Sequence, residues 1–383
     1  MDPIYLDYNA TTPIDPEIAE TILPFIIHHY GNPSSTHAYG TFASQAVNNA
    51  RKQVSDMLNC DPEEVIFTSG GTESNNHAIK GIASTYRHKG NHIITSSVEH
   101  PAVVEVCQWL ETQGYRITYL PVDKLGSIDT VELETAITPD TILITIMHAN
   151  NEVGTVQPIR KITEIAHSRN VLVHTDAAQS AGKISVDVQD LGVDLLSLAG
   201  HKLYAPKGIG ALFVKKGTSL SKLMHGAGHE MGWRAGTENV IHITGLGKAC
   251  EMIKDNLDEY SRHMASMRNS LQTGLCLNIP TALFNGHPSQ RLPNTLSVSF
   301  QGLEADNLLS RLNRIAISAG AACHSDRIEI SSVLQAMAIP LDYAMGTLRI
   351  STGRFTTGEE IDIAISEITK VVTSGYTTKS QTG

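Results

Sequence analysis

The chain has 383 residues, 41% hydrophobic and 18% charged, with a net charge of -10. That length and balance suit two or three domains with a large core, while the acidity argues against direct nucleic-acid binding, whose footprint is basic. Five cysteines (Cys60, Cys107, Cys250, Cys276 and Cys323) are scattered with no C-x-x-C pair, which disfavours a disulfide framework or metal site and points to a reducing cytoplasm.

From the N-terminus, Met1 to Tyr8 lacks the charged and then apolar pattern of a signal peptide. Apolar runs such as Ile142 to Met147 are too short to span a bilayer, so no membrane association is expected. Val65–Thr68, His92–Thr95, Arg116–Leu120, Thr141–Met147, Val171–His174 and Asp194–Leu198 are predicted as strands. Segments near 73–88, 101–113, 129–137 and 158–169 are predicted as helices between them. This alternation implies βαβ units, an α/β fold and a mainly parallel sheet covered on both faces. The stretch Lys207-Gly208-Ile209-Gly210-Ala211 is read as a turn. A long helical pattern runs from about Glu238 to Leu275. After it come a strand at Leu296–Phe300, a helix from Glu304, strands at Ile315–Ile317 and Leu348–Ile350, and a terminal helix from Gly358. Without regular alternation, this part reads as a smaller α+β domain. The expected division is 15–255 for a large domain, with 1–14 and 256–383 forming a small one.

Three places carry chemistry. Lys202 follows a strand in Ser197-Leu198-Ala199-Gly200-His201-Lys202. Most lysines are solvated surface charges, but one at a buried strand end can form a Schiff base with pyridoxal 5′-phosphate (PLP). Asp176 ends another strand, where doubly wound sheets hold ligands. An aspartate there either keeps a pyridine nitrogen protonated or caps a helix. Gln179 is correspondingly a contact for the cofactor's O3′ or a capping partner. Phe67 to Asn75 reads as strand, Gly-Gly turn and helix start, a place where free amides and the helix dipole attract an anion. Gly71 lets the backbone come close and Thr72 adds a hydroxyl. The alternative is a capping box, Thr72 with Asn75 or Ser69 with Thr72. The loop from His229 to Glu238 is a second polar, glycine-bearing turn, and its Thr237 is a further phosphate donor, from the same chain or a partner subunit.

These motifs resemble those of the cysteine desulfurase and selenocysteine lyase family, in the class-V aminotransferase group of fold type I PLP enzymes. The resemblance runs from Tyr5 to about Ile363 and includes Leu6 to Pro13, Gly31 to Ser35, Thr68 to Asn75, Glu99-His100, His148 to Gly154, Asp176 to Ser180, Gly200-His201-Lys202, Arg234 to Thr237 and Ser318 to Cys323. It implies a seven-stranded, mainly parallel sheet in the large domain and a small domain carrying a catalytic cysteine loop. It also implies PLP on Lys202, which would move protons, with Asp176 on the pyridine nitrogen and His100 stacked on the ring as a catalytic residue that helps move protons. Gln179 and Asn151 would contact the O3′ side. Gly71, Thr72, His201 and Thr237 would bind phosphate. Arg349 would hold the substrate carboxylate beside Asn9 and Asn151, and Cys323 would accept the chalcogen as a persulfide. A homodimer and a sulfur- or selenium-acceptor protein are expected partners.

The chain departs from the family pattern in two places. Ala199 stands where a serine phosphate donor is common, although Ser197 lies two residues earlier. The run Cys323-His324-Ser325-Asp326 is more like selenocysteine lyases, while the loop's length is more like bacterial desulfurases. L-cysteine and L-selenocysteine therefore both stand as substrates. A partner-docking platform without catalysis is a third reading, and by itself Cys323 reads more readily as a small buried hydrophobe than as a nucleophile.

Overall fold

A computed structural model describes residues 3–324 and 327–382, the side chains of 321–329 and 378–382 excepted. Its main sheet has seven strands in the order Val65–Thr68, Gly210–Val214, Leu195–Ala199, Leu172–Asp176, Thr141–Thr145, His92–Ser96 and Arg116–Leu120. Side chains alternate across a strand, so neighbouring residues serve different cores. Ile93, Leu143, Leu195 and Leu212 join one cluster, beneath helices Gly71–Tyr86 and Pro101–Thr112. Ile94, Ile144, Leu196 and Phe213 join the other, with Val47 and Val54 of helix Ala38–Leu58 and Ile159 and Ile162 of helix Ile159–Ser168. A sheet covered on both faces buries both sides of its inner strands, which is why these runs are mostly apolar and β-branched, and their few polar side chains pair with one another, as His174 does with Ser197.

The six predicted strands all form. The seventh corrects the sequence reading: the turn taken to reach Ala211 gives way to strand Gly210–Val214, antiparallel to both neighbours. Glycine punctuation hid it, yet glycine is required there. A Cβ at Gly210 would lie 2.5 Å from Leu198 O and 2.7 Å from Gly70 Cα.

A second sheet pairs Ser318–Ala319, Thr347–Ser351, Thr295–Ser299 and Leu283–Asn285 antiparallel. Its core holds Leu296, Val298, Leu348 and Ile350 with Ile361 and Ile368 of helix Gly358–Thr382. Leu6 enters this core, and Ile4–Tyr5 pairs in parallel with Ile315–Ala316. The helix Val240–Asn278 runs unbroken between the two parts: Leu246 and Ile253 pack in the first, Leu271 and Leu275 in the second. Among the described residues no helix is long and apolar enough to cross a membrane.

Candidate active site

Strand direction places the site. Strands 92–96, 116–120, 141–145, 172–176 and 195–199 are parallel. Strand 65–68 is antiparallel to 210–214, itself antiparallel to 195–199, so 65–68 points the same way as the five. Six carboxyl ends thus share one edge, the edge at which open α/β sheets bind ligands. A cavity of about 290 Å³ opens there, lined by Gly71, Thr72, His100, Asn151, Asp176, Gln179, His201 and Lys202 among others. A wider depression of about 810 Å³, between helix Ala38–Leu58 and the 227–238 loop, holds none of these groups.

Lys202 closes a short turn, Gly200–Lys202, directly after its strand. Its Nζ donates to the carbonyls of Asn9 and of Ala10, the latter at 2.7 Å. Burial, and then the positive charge of Arg349, brings its pKa from 10.5 down to about 8. Asp176 is 7% exposed. Its Oδ1 accepts from Ala178 N at 2.9 Å and its Oδ2 from Asn75 Nδ2 at 2.7 Å. One oxygen therefore pins the turn after the strand, and the other is held by a side chain from the facing helix.

That pairing removes Asn75 from the proposed capping box. Gly70 is the residue before helix Gly71–Tyr86, at φ 149°, and offers no side chain to cap it. The amide of Ser69 instead donates to Glu73 Oε2 at 2.8 Å, and Glu73 also takes Arg234 Nε at 2.8 Å. The helix start keeps the uncapped amides that favour an anion.

The other groups fall around these. His100 caps helix Pro101–Thr112, its Nδ1 accepting from Ala102 N at 3.1 Å. The neutral ring therefore carries its proton on Nε2. His201 Nδ1 lies 3.1 Å from Thr11 Oγ1, and burial followed by the Lys202 charge lowers its pKa to about 4, which keeps it neutral. Gln179 Nε2 donates to Asn9 O at 3.0 Å.

Asn9 and Arg349 stand behind the lining. The Asn9 amide is used internally: Nδ2 donates to Asn151 O and Thr295 Oγ1, and Oδ1 accepts from Asn294. Arg349 Nη2 donates to Asp7 Oδ1 at 2.9 Å and Ser318 Oγ at 3.0 Å, while its Nε has no hydrogen-bond partner among the described residues.

Thr237 is exposed and outside the lining. Ser197 does not replace the donor missing at Ala199. It is fully buried and meets His174 Nε2 at 2.9 Å, whereas Ala199 itself forms cavity wall. Cys323 lies on strand Ala321–His324, opposite Ile328; its side chain is outside the described residues.

The sequence matches the aminotransferase class-V family over residues 4–363. The chain belongs to that family. It is 48% identical over 371 residues to a cysteine desulfurase IscS of Methanosarcina thermophila, covering 96% of this chain and 92% of the relative. It is 45% identical over 365 residues to a cysteine desulfurase of Mus musculus, covering 94% of this chain and 80% of the relative. A solved NifS-like protein superposes with a TM-score of 0.91 at 37% identity, over 97% of this chain and 99% of that one. The fold is that of type I PLP enzymes, with the seven-stranded mixed sheet as its scaffold.

The class-V aminotransferases use PLP, and the donor set here fits it. An amine lowered toward neutrality, a carboxylate and an uncapped helix start border one cavity, matching an aldehyde, a pyridine nitrogen and a phosphate. Sequence reasoning missed Asn75 as the partner of Asp176, Asp7 as the partner of Arg349, and Lys183, whose Nζ donates to Gln179 Oε1 at 2.9 Å. Asp7 and Asn75 stood in recognised motifs, and only the motif pattern could have flagged them.

Proposed function

We propose that this family member is a PLP-dependent cysteine desulfurase, converting L-cysteine to L-alanine and leaving the sulfur as a persulfide on Cys323 for an acceptor protein. One observation carries the reading: the Lys202 amine, lowered to about 8, shares a cavity with Asp176 and the uncapped helix start at Gly71. The desulfurase names of the full-length relatives support cysteine as substrate.

When bound, PLP supplies an electron sink for the negative charge that develops at the substrate Cα. Asp176 would hold the proton on the pyridine nitrogen. Gly71, Thr72 and His201 would hold the phosphate, joined by Thr237 from a second copy of the chain. Gln179 and Asn151 would flank O3′, and His100 the ring face. Near neutral pH part of the Lys202 population is a free amine, able to carry the cofactor and then to take the Cα proton. Arg349, whose planar guanidinium suits a carboxylate, would hold the α-carboxylate, and Asn9 holds Asn151 in place.

Cys323 Sγ then attacks the substrate sulfur. A sulfur–sulfur bond forms, the Cβ–S bond breaks with its electron pair going to carbon, and the thiol proton is accounted for in the alanine methyl group. No external oxidant is needed, and the thiolate is the nucleophile. The reading extends to a homodimer, a large domain of 15–255 with a small one of 1–14 and 256–383, and a cytoplasmic setting.

The test is alanine release from L-cysteine and, side by side, from L-selenocysteine. Lys202→Ala should abolish the cofactor's visible absorbance and both activities. Cys323→Ala should abolish alanine from cysteine. If that variant still desulfurates cysteine, the persulfide role is wrong; if the unmutated chain releases alanine from selenocysteine and none from cysteine, it is a selenocysteine lyase.

A further inference from the structure

Lys183 is a buried amine that the mechanism above does not use. It is 4% exposed and lies on the turn that follows Gln179. Its Nζ donates to Gln179 O and to Gln179 Oε1, both at 2.9 Å. The charges it feels are those of Lys202 and Arg349, and burial is the first cause holding its pKa well below the lysine range. It sits behind the cavity, bordering with Lys202 a void of about 10 Å³.

Gln179 is the side chain between Lys183 and the cavity. An amide has a donor end and an acceptor end. Asn9 O can only accept, so Nε2 faces it at 3.0 Å, and the same carbonyl accepts from Lys202. Lys183 then meets Oε1. With both of these contacts made, the second N–H of the amide is left for the cavity.

We propose that Lys183 is a positioning residue that locks the Gln179 amide with its nitrogen on the cavity side, so that Gln179 donates to an anionic oxygen of the cofactor ring. This rests on the PLP reading above and extends it to a residue outside the lining. Without Lys183, Oε1 is left buried and unpaired, so the amide gains by swinging to another partner, and the fixed donor is lost. A donor to the ring's anionic oxygen favours the state in which that charge is unbalanced by the proton on the Lys202 linkage. Losing the donor therefore raises the pKa of the linkage. The charges that reach Lys202 from Arg349, Asp7 and Asp176 are untouched, and any direct effect of the Lys183 charge on Lys202 would add to the Gln179→Ala shift in a double variant, which separates it from the effect through Gln179.

Lys183→Met keeps an unbranched apolar stem and removes the donors. In the reconstituted holoenzyme the cofactor absorbance is titrated against pH. The expected midpoint rises by about one unit, a tenfold change in the proton equilibrium. Gln179→Ala should rise similarly, and the double variant no further, because the two residues act as one unit. A Lys183→Met midpoint at the wild-type value while Gln179→Ala is shifted, or additive shifts in the double variant, overturns the proposal. A merely structural role would lower the unfolding midpoint and leave the titration where it was. Lys183→Ala is the substitute if Lys183→Met does not fold, with the same expected direction. A wild-type chain with a normal titration but no alanine from cysteine overturns the desulfurase reading and leaves this one standing. A chain without any pH-dependent cofactor band overturns both.

Discussion

Lys202 ends a turn behind a strand buried along its whole length, and Arg349 is the strongest charge acting on it. Its neutral amine is the form that attacks an aldehyde. Because the folded pKa lies near 8, below the ordinary 10.5, that form is present above about pH 8 and is lost as pH falls through it. Cofactor uptake by the cofactor-free chain should therefore accelerate with pH, half-maximal near 8, in stopped-flow absorbance. Arg349→Leu removes a charge that lowers this pKa, so the midpoint should move upward; an unchanged or lower midpoint would show that Lys202 does not feel Arg349. At this scale Lys202 and Asp176 were legible because one follows and the other ends a buried strand. Asn75 and Asp7 were not, since their partners stand 101 and 342 residues away in sequence. Lys183 reads in sequence as any lysine does, and only the fold shows that water is excluded from it.

At the scale of elements, the alternation of apolar, β-branched runs with helical patterns exposed the five parallel strands and strand 65–68, because a sheet covered on both faces keeps its strands mostly apolar and buried. Strand Gly210–Val214 escaped because it starts with the residue type that normally ends elements. Its glycine has a packing reason that sequence does not display. The strand lies between 65–68 and 195–199, and the Gly70–Gly71 turn crosses its first residue closely. Gly210→Ala should push that turn outward at a cost of about 1–3 kcal/mol, the usual range for overpacking. The same shift should loosen the helix start that receives the phosphate. Expected are a lower denaturant midpoint and weaker cofactor retention in equilibrium dialysis. Gly358→Ala, with nothing within 4 Å of its added Cβ, is the neutral control. Retention equal to that of the control would mean the turn at Gly70 does not depend on this contact.

For the whole molecule, one helix serves two cores and the N-terminal segment stitches them together. Asn9 reaches Asn151 and Thr295, while the Asn9 and Ala10 carbonyls meet Lys202. Such long-range joints are written in no local pattern; only the family resemblance pointed to the Leu6–Pro13 run. Thr237 is the predicted phosphate donor that this single chain leaves exposed and outside the cavity. If it acts across a dimer, complementation follows from symmetry. A Lys202→Ala chain supplies Thr237 but no amine; a Thr237→Ala chain supplies the amine but no Thr237. In a mixed dimer, one of the two sites would then join Lys202 from one chain to Thr237 from the other and be intact. Co-expressed and purified through two different tags, mixed dimers should hold cofactor at that one site with wild-type affinity, while the Thr237→Ala homodimer binds it more weakly. If Thr237 acts within its own chain, no site in the mixed dimer is intact, and its affinity stays at that of the Thr237→Ala homodimer.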